Sequence, residues 1–278
     1  MKPKTLKTYL VLIITFCLKI NAKATDFERP LGARSWGLAN ASVTLEDIWS
    51  IQNNQAGLGF LKQSQVATYG ENRFRLSNLN YGAVAGVVKT KYGNFALSLN
   101  YFGYSGYSEQ KFGFGYGRAF SDKFAVGFRM NYQILSIKAY GSNGTPSIDG
   151  GVIYKISKSF ITGFHICNPI MQKLDKNSVE YLPTIAKIGF QYLPSEKVSI
   201  LTEVQKQTDI NAQLKVGIEY RMQAKLALRA GLSSNPLLNT FGIGYNSKNM
   251  RLDIAANVHP QLGISPHASL TFLFNKKN

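Results

Sequence analysis

From Gln65 onward the chain is built of segments of about ten residues in which apolar and polar residues alternate. Because successive side chains of a β-strand point to opposite faces, each segment has one apolar and one polar face. Gly, Asn, Ser, Asp and Pro punctuate the segments, as they do at turns. The pattern predicts fourteen strands, at about 65–72, 79–89, 93–104, 108–119, 124–140, 146–156, 160–168, 183–193, 198–207, 213–221, 224–233, 239–246, 250–259 and 264–274.

The connections between these strands favour a membrane barrel. Short turns alternate along the chain with mostly longer links, such as those near 141–145 and 169–182, and this asymmetry between two ends is typical of outer-membrane barrels. Aromatic residues stand near strand ends on the apolar faces, as in interfacial girdles. We therefore predict an all-β fold, a 14-stranded antiparallel transmembrane β-barrel with a short N-terminal helical hatch. A soluble β-sandwich or lipocalin-like barrel would show the same alternation but turn its apolar face inward.

The N-terminus indicates export. Residues 1–24 have a basic start, an apolar run over 9–18 and a small-x-small cleavage pattern at 22–24, which predicts a signal peptide. An N-terminal anchor is the alternative, although the run is short for a membrane span. Removal of 1–24 leaves 27 basic against 15 acidic residues, a formal charge of +12. The basic residues are not clustered, which argues against nucleic acid and favours an anionic lipid surface as partner. The predicted location is the cell outer membrane.

Residues 25–64, called the hatch below, do not alternate and precede a barrel over 65–278. Small residues fill 31–43, and Thr44 is expected to cap a short helix that has Asp47 in its first turn. An apolar helix ahead of a barrel needs a place to bury itself, and glycines on the inner wall would leave room for it. A helix on the periplasmic rim is the alternative. The residues expected to act in the hatch are Arg34, Trp36, Glu46, Asp47, Trp49, Asn53 and Asn54.

Three stretches of the hatch resemble a known group. G-A-R-S-x-G-L-A-N-A-S-V over 32–43, an acidic pair before Trp49-Ser50, and N-N-Q-A-G-L over 53–58 are similar to the start of FadL and PorV/PorQ-like outer-membrane barrels. Better-known members have Asn-Pro-Ala where this chain has Asn54-Gln55-Ala56. The resemblance, to the small, short-loop members, implies a hatch inside a fourteen-stranded barrel.

The resemblance also implies a function. FadL-like members move hydrophobic molecules, which predicts passive passage of a small hydrophobic ligand across the outer membrane. PorV- and PorQ-like members serve type IX secretion, one helping to release cargo and the other helping to attach it at the surface. The alternative is therefore an accessory or docking component whose partners are secretion-system proteins. The link over 169–182 is the candidate docking loop.

The alternation also predicts which charges face the lumen. Charges buried in a narrow barrel must be paired or hydrated. Five basic and four acidic residues could pair mostly with each other, and the hatch could add Arg34, Glu46 and Asp47. A salt-bridged structural interior is the favoured interpretation, and a polar conduit or a latch for the hatch is the alternative. The predicted lumen charges are Arg129, Asp149, Lys187, Glu203, Lys215, Glu219, Arg229, Arg251 and Asp253.

Nothing in the sequence predicts an enzyme. His165, His259 and His267 are not at metal-ligand spacing, and no Cys or acid cluster is expected beside them. A His259–Asp253 pair could support a serine nucleophile in a lipid hydrolase, but a hydrated lumen explains both residues more simply. Phosphate-loop and nucleophile-elbow motifs are missing from the sequence. We expect no cofactor and no metal, and Cys167 should be a small buried or lipid-facing residue.

Overall fold

The computed structural model describes residues 28–172, 181–208 and 210–274, and the predicted signal peptide lies outside them. Each strand pairs antiparallel with the next in sequence, and the first closes on the last, so that fourteen strands form a closed barrel. This confirms the predicted fold class. The strands are β1 Ser64–Asn72, β2 Asn80–Lys89, β3 Asn94–Tyr104, β4 Tyr107–Ala119, β5 Phe124–Ile137, β6 Gly141–Lys155, β7 Phe160–Cys167, β8 Ile185–Ser195, β9 Val198–Gln207, β10 Gln213–Arg221, β11 Leu226–Ser233, β12 Leu238–Asn246, β13 Met250–His259 and β14 Gly263–Phe274.

One predicted connection is wrong. The link expected over 141–145 belongs to β6, whose first residues continue the ladder with β5 from Gly141 opposite Ile137 to Thr145 opposite Gln133. A strand ladder is made by backbone groups, so Gly, Ser and Asn can extend it even where apolar alternation is lost. β5 accordingly ends at Ile137, three residues before the predicted end at Tyr140.

The apolar face of the barrel points outward. On β5, Arg129 is 0% exposed, whereas its neighbours Phe128 and Met130 are 43% and 50% exposed. Exposed large apolar side chains recur on every strand from β1 to β14, a surface suited to lipid and not to water. The soluble alternative, in which this face would point inward, is therefore excluded. Among the described residues, no helix is long and apolar enough to cross a membrane.

The hatch lies inside the barrel and not on its rim. From Glu28 to Leu58 its side chains are buried almost without exception. Its regular elements are short: α1 Ala33–Trp36, α2 Ser50–Asn53 and a 3-10 segment over Gln55–Phe60. Gly32, which immediately precedes α1, has φ of 92°, a backbone conformation that favours glycine.

The predicted helix that starts at Thr44 is wrong. The helix begins only at Ser50, and Asp47 accepts a hydrogen bond from the Trp49 amide at 3.0 Å in the turn before it. The residues just before Thr44 are bound to the barrel wall. Glu203 of β9 accepts the backbone N–H groups of Ser42 and Val43, both at 2.9 Å. The chain is therefore already bound to the wall where it enters the segment that was predicted to be helical.

A belt of inward-facing glycines receives the hatch. Gly127 on β5 lies opposite both Gly117 and Gly151, so the belt runs from strand to strand. A Cβ atom added at Gly127 would lie 2.6 Å from the Ala56 backbone nitrogen. The hatch backbone therefore lies directly on a wall without side chains. The glycine belt, defined by contacts of this kind, comprises Gly117, Gly127, Gly151, Gly163, Gly189, Gly217 and Gly231.

We expect Gly127→Ala to displace the hatch. The added methyl group has no space, and overpacking of this kind costs about 1–3 kcal/mol. The free energy of unfolding should fall by that amount in urea titrations, and trypsin should cleave the hatch faster after Arg34. Gly86→Ala is the matched control, since a Cβ at Gly86 meets nothing within 4 Å. Equal protection of the hatch in both variants would contradict the close packing described here.

Candidate functional site between the hatch and the barrel wall

Arg34 joins the hatch to the wall through a chain of ion pairs. Its Nε and Nη2 donate to the two carboxylate oxygens of Glu219, both at 2.9 Å. Arg229 donates to the same carboxylate at 2.7 Å and to Asp253 at 2.8 Å. Asp47 of the hatch lies 3.4 Å from Arg34 Nη1. Bidentate pairs of this kind fix geometry as well as charge, so Arg34 is held against β10, β11 and β13.

A second cluster surrounds Arg129. Its Nε and Nη2 donate to Asp149 Oδ2 at 3.0 and 2.6 Å, and its Nη1 donates to Gln52 of the hatch. Glu28, also in the hatch, lies 3.5 Å from Arg129 and accepts from Lys111 of β4. The sequence analysis missed Glu28 and Lys111. Lys111 could have been found, because it alternates with the outward-facing Phe112, but Glu28 precedes every alternating segment.

The remaining predicted charges differ in their partners. Lys215 lies 2.7 Å from Glu203, the carboxylate that binds hatch amides. Lys187 is buried beside His165 in the β7–β8 register but forms no ion pair among the described residues. Glu46 pairs with Lys155 at 2.7 Å in a partly exposed position, away from the charges around Arg34.

Two asparagines shape the hatch itself. Asn53 Nδ2 donates to the Leu31 carbonyl at 2.9 Å, and its Oδ1 accepts the Leu31 amide at 3.1 Å. Asn54 donates to the carbonyl of Val43 at 2.6 Å and to that of Val152 on β6 at 3.2 Å. Asn53 thus closes the hatch on itself, and Asn54 fastens it to the wall.

The opposite side of the hatch is mostly apolar, apart from a buried ion pair between Arg29 of the hatch and Glu71 at the end of β1. Trp36 stacks on His267 at 4.4 Å between ring centroids, and Trp49 meets Tyr69 edge-on at 5.8 Å. The side chains of the wall here are mostly small, and over the middle of β1 and β2 none is charged. We call this contact the apolar seam. It comprises Leu31, Trp36, Ile48, Trp49, Ile51 and Leu58 of the hatch and Ala67, Tyr69, Tyr81, Ala83, Ala85, Val87 and Ala96 of the wall.

His259 and Asp253, the hydrolase pair that the sequence analysis disfavoured, have other partners in the structure. His259 accepts the amides of Gln261 and Leu262 at the end of β13, whereas Asp253 is bound to Arg229, so the hydrolase pair does not form. Six residues of strand separate the two by about 20 Å. The sequence analysis expected no Cys or acid cluster beside the histidines, and the structure shows a single thiol contact, with Cys167 Sγ 3.6 Å from His165 Nδ1.

Cys167 also forms a buried group with Glu28 and Asp149. The strand periodicity did not reveal this group, because Glu28 comes from the hatch. Its carboxylates already bind the protein's own cations, since Asp149 accepts from Arg129 and Glu28 accepts from Lys111. The arrangement is that of an ion-pair network, with Cys167 as a buried neighbour on the lumen side.

These features define a class of protein, a closed fourteen-stranded membrane barrel with an N-terminal hatch folded into its lumen. No protein-family model and no curated protein sequence matches the chain. Solved structures do. The Ralstonia pickettii toluene transporter TbuX has a TM-score of 0.70 at 12% identity, over 90% of this chain and 100% of that one. The Pseudomonas putida toluene transporter TodX has a TM-score of 0.65 at 11% identity, over 91% and 100%.

A Pseudomonas aeruginosa FadL homologue is similar over 88% of this chain and 98% of its own, with a TM-score of 0.64 at 12% identity. The chain thus has the fold of the FadL-type outer-membrane channels, which confirms that part of the resemblance. Similarity to PorV and PorQ remains a prediction.

We expect Arg129→Gln to destabilise the barrel strongly. The change leaves Asp149 and Glu28 buried without their shared guanidinium, and breaking a buried pair in this way costs about 3–5 kcal/mol. Urea unfolding of the detergent-folded protein measures the loss. Arg221→Gln is the control, because that side chain is 53% exposed and lies 3.5 Å from Glu219. Loss of this exposed ion pair should lower the free energy of unfolding by less than about 1 kcal/mol. Equal effects of the two substitutions would contradict the structural role given to Arg129.

Proposed function

We propose that the barrel passes small hydrophobic molecules across the outer membrane along the apolar seam. The observation that carries this proposal is the seam itself, an uncharged cluster that includes Trp49 of the hatch, Tyr69 of β1 and the small side chains of β2. The fold supports it by distant similarity, since two proteins of the same fold are toluene transporters. The protein acts in this proposal as a passive conduit and not as an enzyme.

The energetics favour the seam over the rest of the lumen as the route. Moving the hatch away from Arg129 or Glu219 would leave buried charges unpaired, at a cost of several kcal/mol each. Opening the seam over the middle of β1 and β2 exposes apolar surface, at a cost of about 25 cal/mol per Å². The buried ion pair between Arg29 of the hatch and Glu71 at the end of β1 stays closed in this proposal. A hydrophobic solute covers the same surface as it enters and offsets that cost. The seam therefore opens most easily for the solutes that it would carry.

The connections at the end opposite the short turns favour a small solute over a large cargo. Those over 105–106, 138–140 and 260–262 are two or three residues long. These three connections offer little chain to bind a protein, whereas the described link over 73–79 is seven residues long. The candidate docking loop over 169–182 lies largely outside the described residues, and a secretion-accessory role has no support from the part of the chain that the structure describes.

Ala85→Trp tests the route. Ala85 is 3% exposed and faces the seam, so an indole there fills the space through which a solute would pass. We expect uptake of labelled toluene by cells with an intact lipopolysaccharide outer leaflet to fall at least about tenfold relative to the unsubstituted barrel. Val84→Trp is the matched control, because the adjacent side chain is 44% exposed on the lipid-facing surface. Heat-modifiability on gels shows that both variants are folded.

The proposed route and the proposed transport can each be contradicted by a separate outcome. Undiminished toluene uptake through folded Ala85→Trp protein would place the route outside the seam. If cells that express the unsubstituted barrel take up toluene no faster than cells without it, the proposed transport itself is wrong.

A further inference from the structure

A polar cavity of about 360 Å³ lies at the end of the barrel that carries the short turns. The hatch contributes Arg34 to its wall, and the turns after β10 and β12 form its rim. The polar side chains that matter here are Arg34, Arg221, Arg229, Asn246, Lys248 and Arg251. We call this space the turn-end cavity.

The turn-end cavity has more positive than negative charge. Five of its lining residues are basic, and Glu219 is the acidic residue that lines it. Both oxygens of Glu219 already accept hydrogen bonds from Arg34, and one of them also accepts from Arg229. Glu219 therefore has little capacity left to neutralise the other cations.

Arg251 has no direct ion pair among the described residues, although Asp47, Asp253 and Glu219 lie close enough to attract it. Its Nε donates to Asn246 Oδ1 at 2.8 Å, and no ion pair joins it to any described acidic residue. The exposed Arg221 and Lys248 lie on the rim of the same cavity. Concentrating cations in a partly enclosed space is unfavourable unless an anion joins them. The free edge of a guanidinium is also well shaped for the oxygens of an oxyanion.

We propose that the turn-end cavity binds a phosphate group, held by Arg251, Arg221 and Lys248. The group is either a free phosphate ion or the headgroup of an anionic phospholipid. Met250 and Leu273 in the lining add apolar surface that a lipid would use. Because Arg34 belongs to the hatch, a phosphate bound here would also join the hatch to the wall. This site is separate from the apolar seam and does not depend on the proposed transport.

The full-length protein, folded in a neutral detergent and chloride buffer, allows a direct test. Binding of inorganic phosphate is measured by calorimetry, and binding of phosphatidylglycerol by native mass spectrometry against phosphatidylcholine. We expect saturable binding of one phosphate group per barrel. Arg251→Gln combined with Lys248→Gln should weaken it at least about tenfold, as expected when charge-assisted hydrogen bonds are lost. Lys123→Gln combined with Lys158→Gln removes two exposed charges from other turns at the same end and should leave it unchanged within about twofold.

The two probes distinguish the sources of the phosphate group. Binding of inorganic phosphate identifies the free ion, and binding of phosphatidylglycerol alone identifies the lipid headgroup. The Arg251→Gln variant should fold, because no carboxylate loses an ion-pair partner. The Arg251→Lys variant provides a second test, because it keeps the positive charge and removes the planar guanidinium. Failure of both probes to bind saturably, or equal binding by the cavity and control variants, would overturn the proposal.

Discussion

The structure depends on the close approach of the hatch backbone to a wall that has no side chains at the point of contact. Seven glycines on seven strands form that surface, and the hatch atoms above it lie where Cβ atoms would otherwise be. Backbone so close to the wall can also donate to side chains beside the glycines, as the Val43 amide does to the Glu203 carboxylate. Short helices suffice for the same reason, since the barrel provides the partners that longer helices would make internally.

The lumen is divided into two sides with different strengths of attachment. Ion pairs hold the hatch to strands on one side, through Arg34 and Arg129, and separation there leaves charges without partners. On the other side most contacts of the hatch with β1 and β2 are apolar and a solute could replace them, while one buried ion pair, Arg29–Glu71, binds the hatch to the end of β1. The ion pairs hold the hatch in a fixed position. The apolar contacts between the hatch and the middle of β1 and β2 can separate without leaving a charge unpaired. The hatch thus serves both as a plug of the lumen and as one wall of the proposed solute route.

Strand periodicity predicted the faces of the barrel well, because a register shift of one residue would exchange lipid and lumen for a whole strand. It placed Arg129 and Asp149 in the lumen without any knowledge of their pairing. The hatch contacts could not be predicted in this way. Arg34 and Glu219 are 185 residues apart, and the path of the hatch has no repeating pattern to reveal it. The same limit explains the overlong helix from Thr44 and the omission of Glu28.

The fold persists at 12% identity to TbuX because its constraints concern classes of residue and not individual ones. Any apolar side chain satisfies the lipid face, any polar one suits the lumen, and only the glycine belt demands one residue type. Function is not constrained so loosely. The small side chains of β2 and Arg251, which forms no direct ion pair with a described acidic residue, are particular choices within a permissive scaffold. Specificity of this barrel should therefore lie in those two regions, where the fold alone requires neither residue.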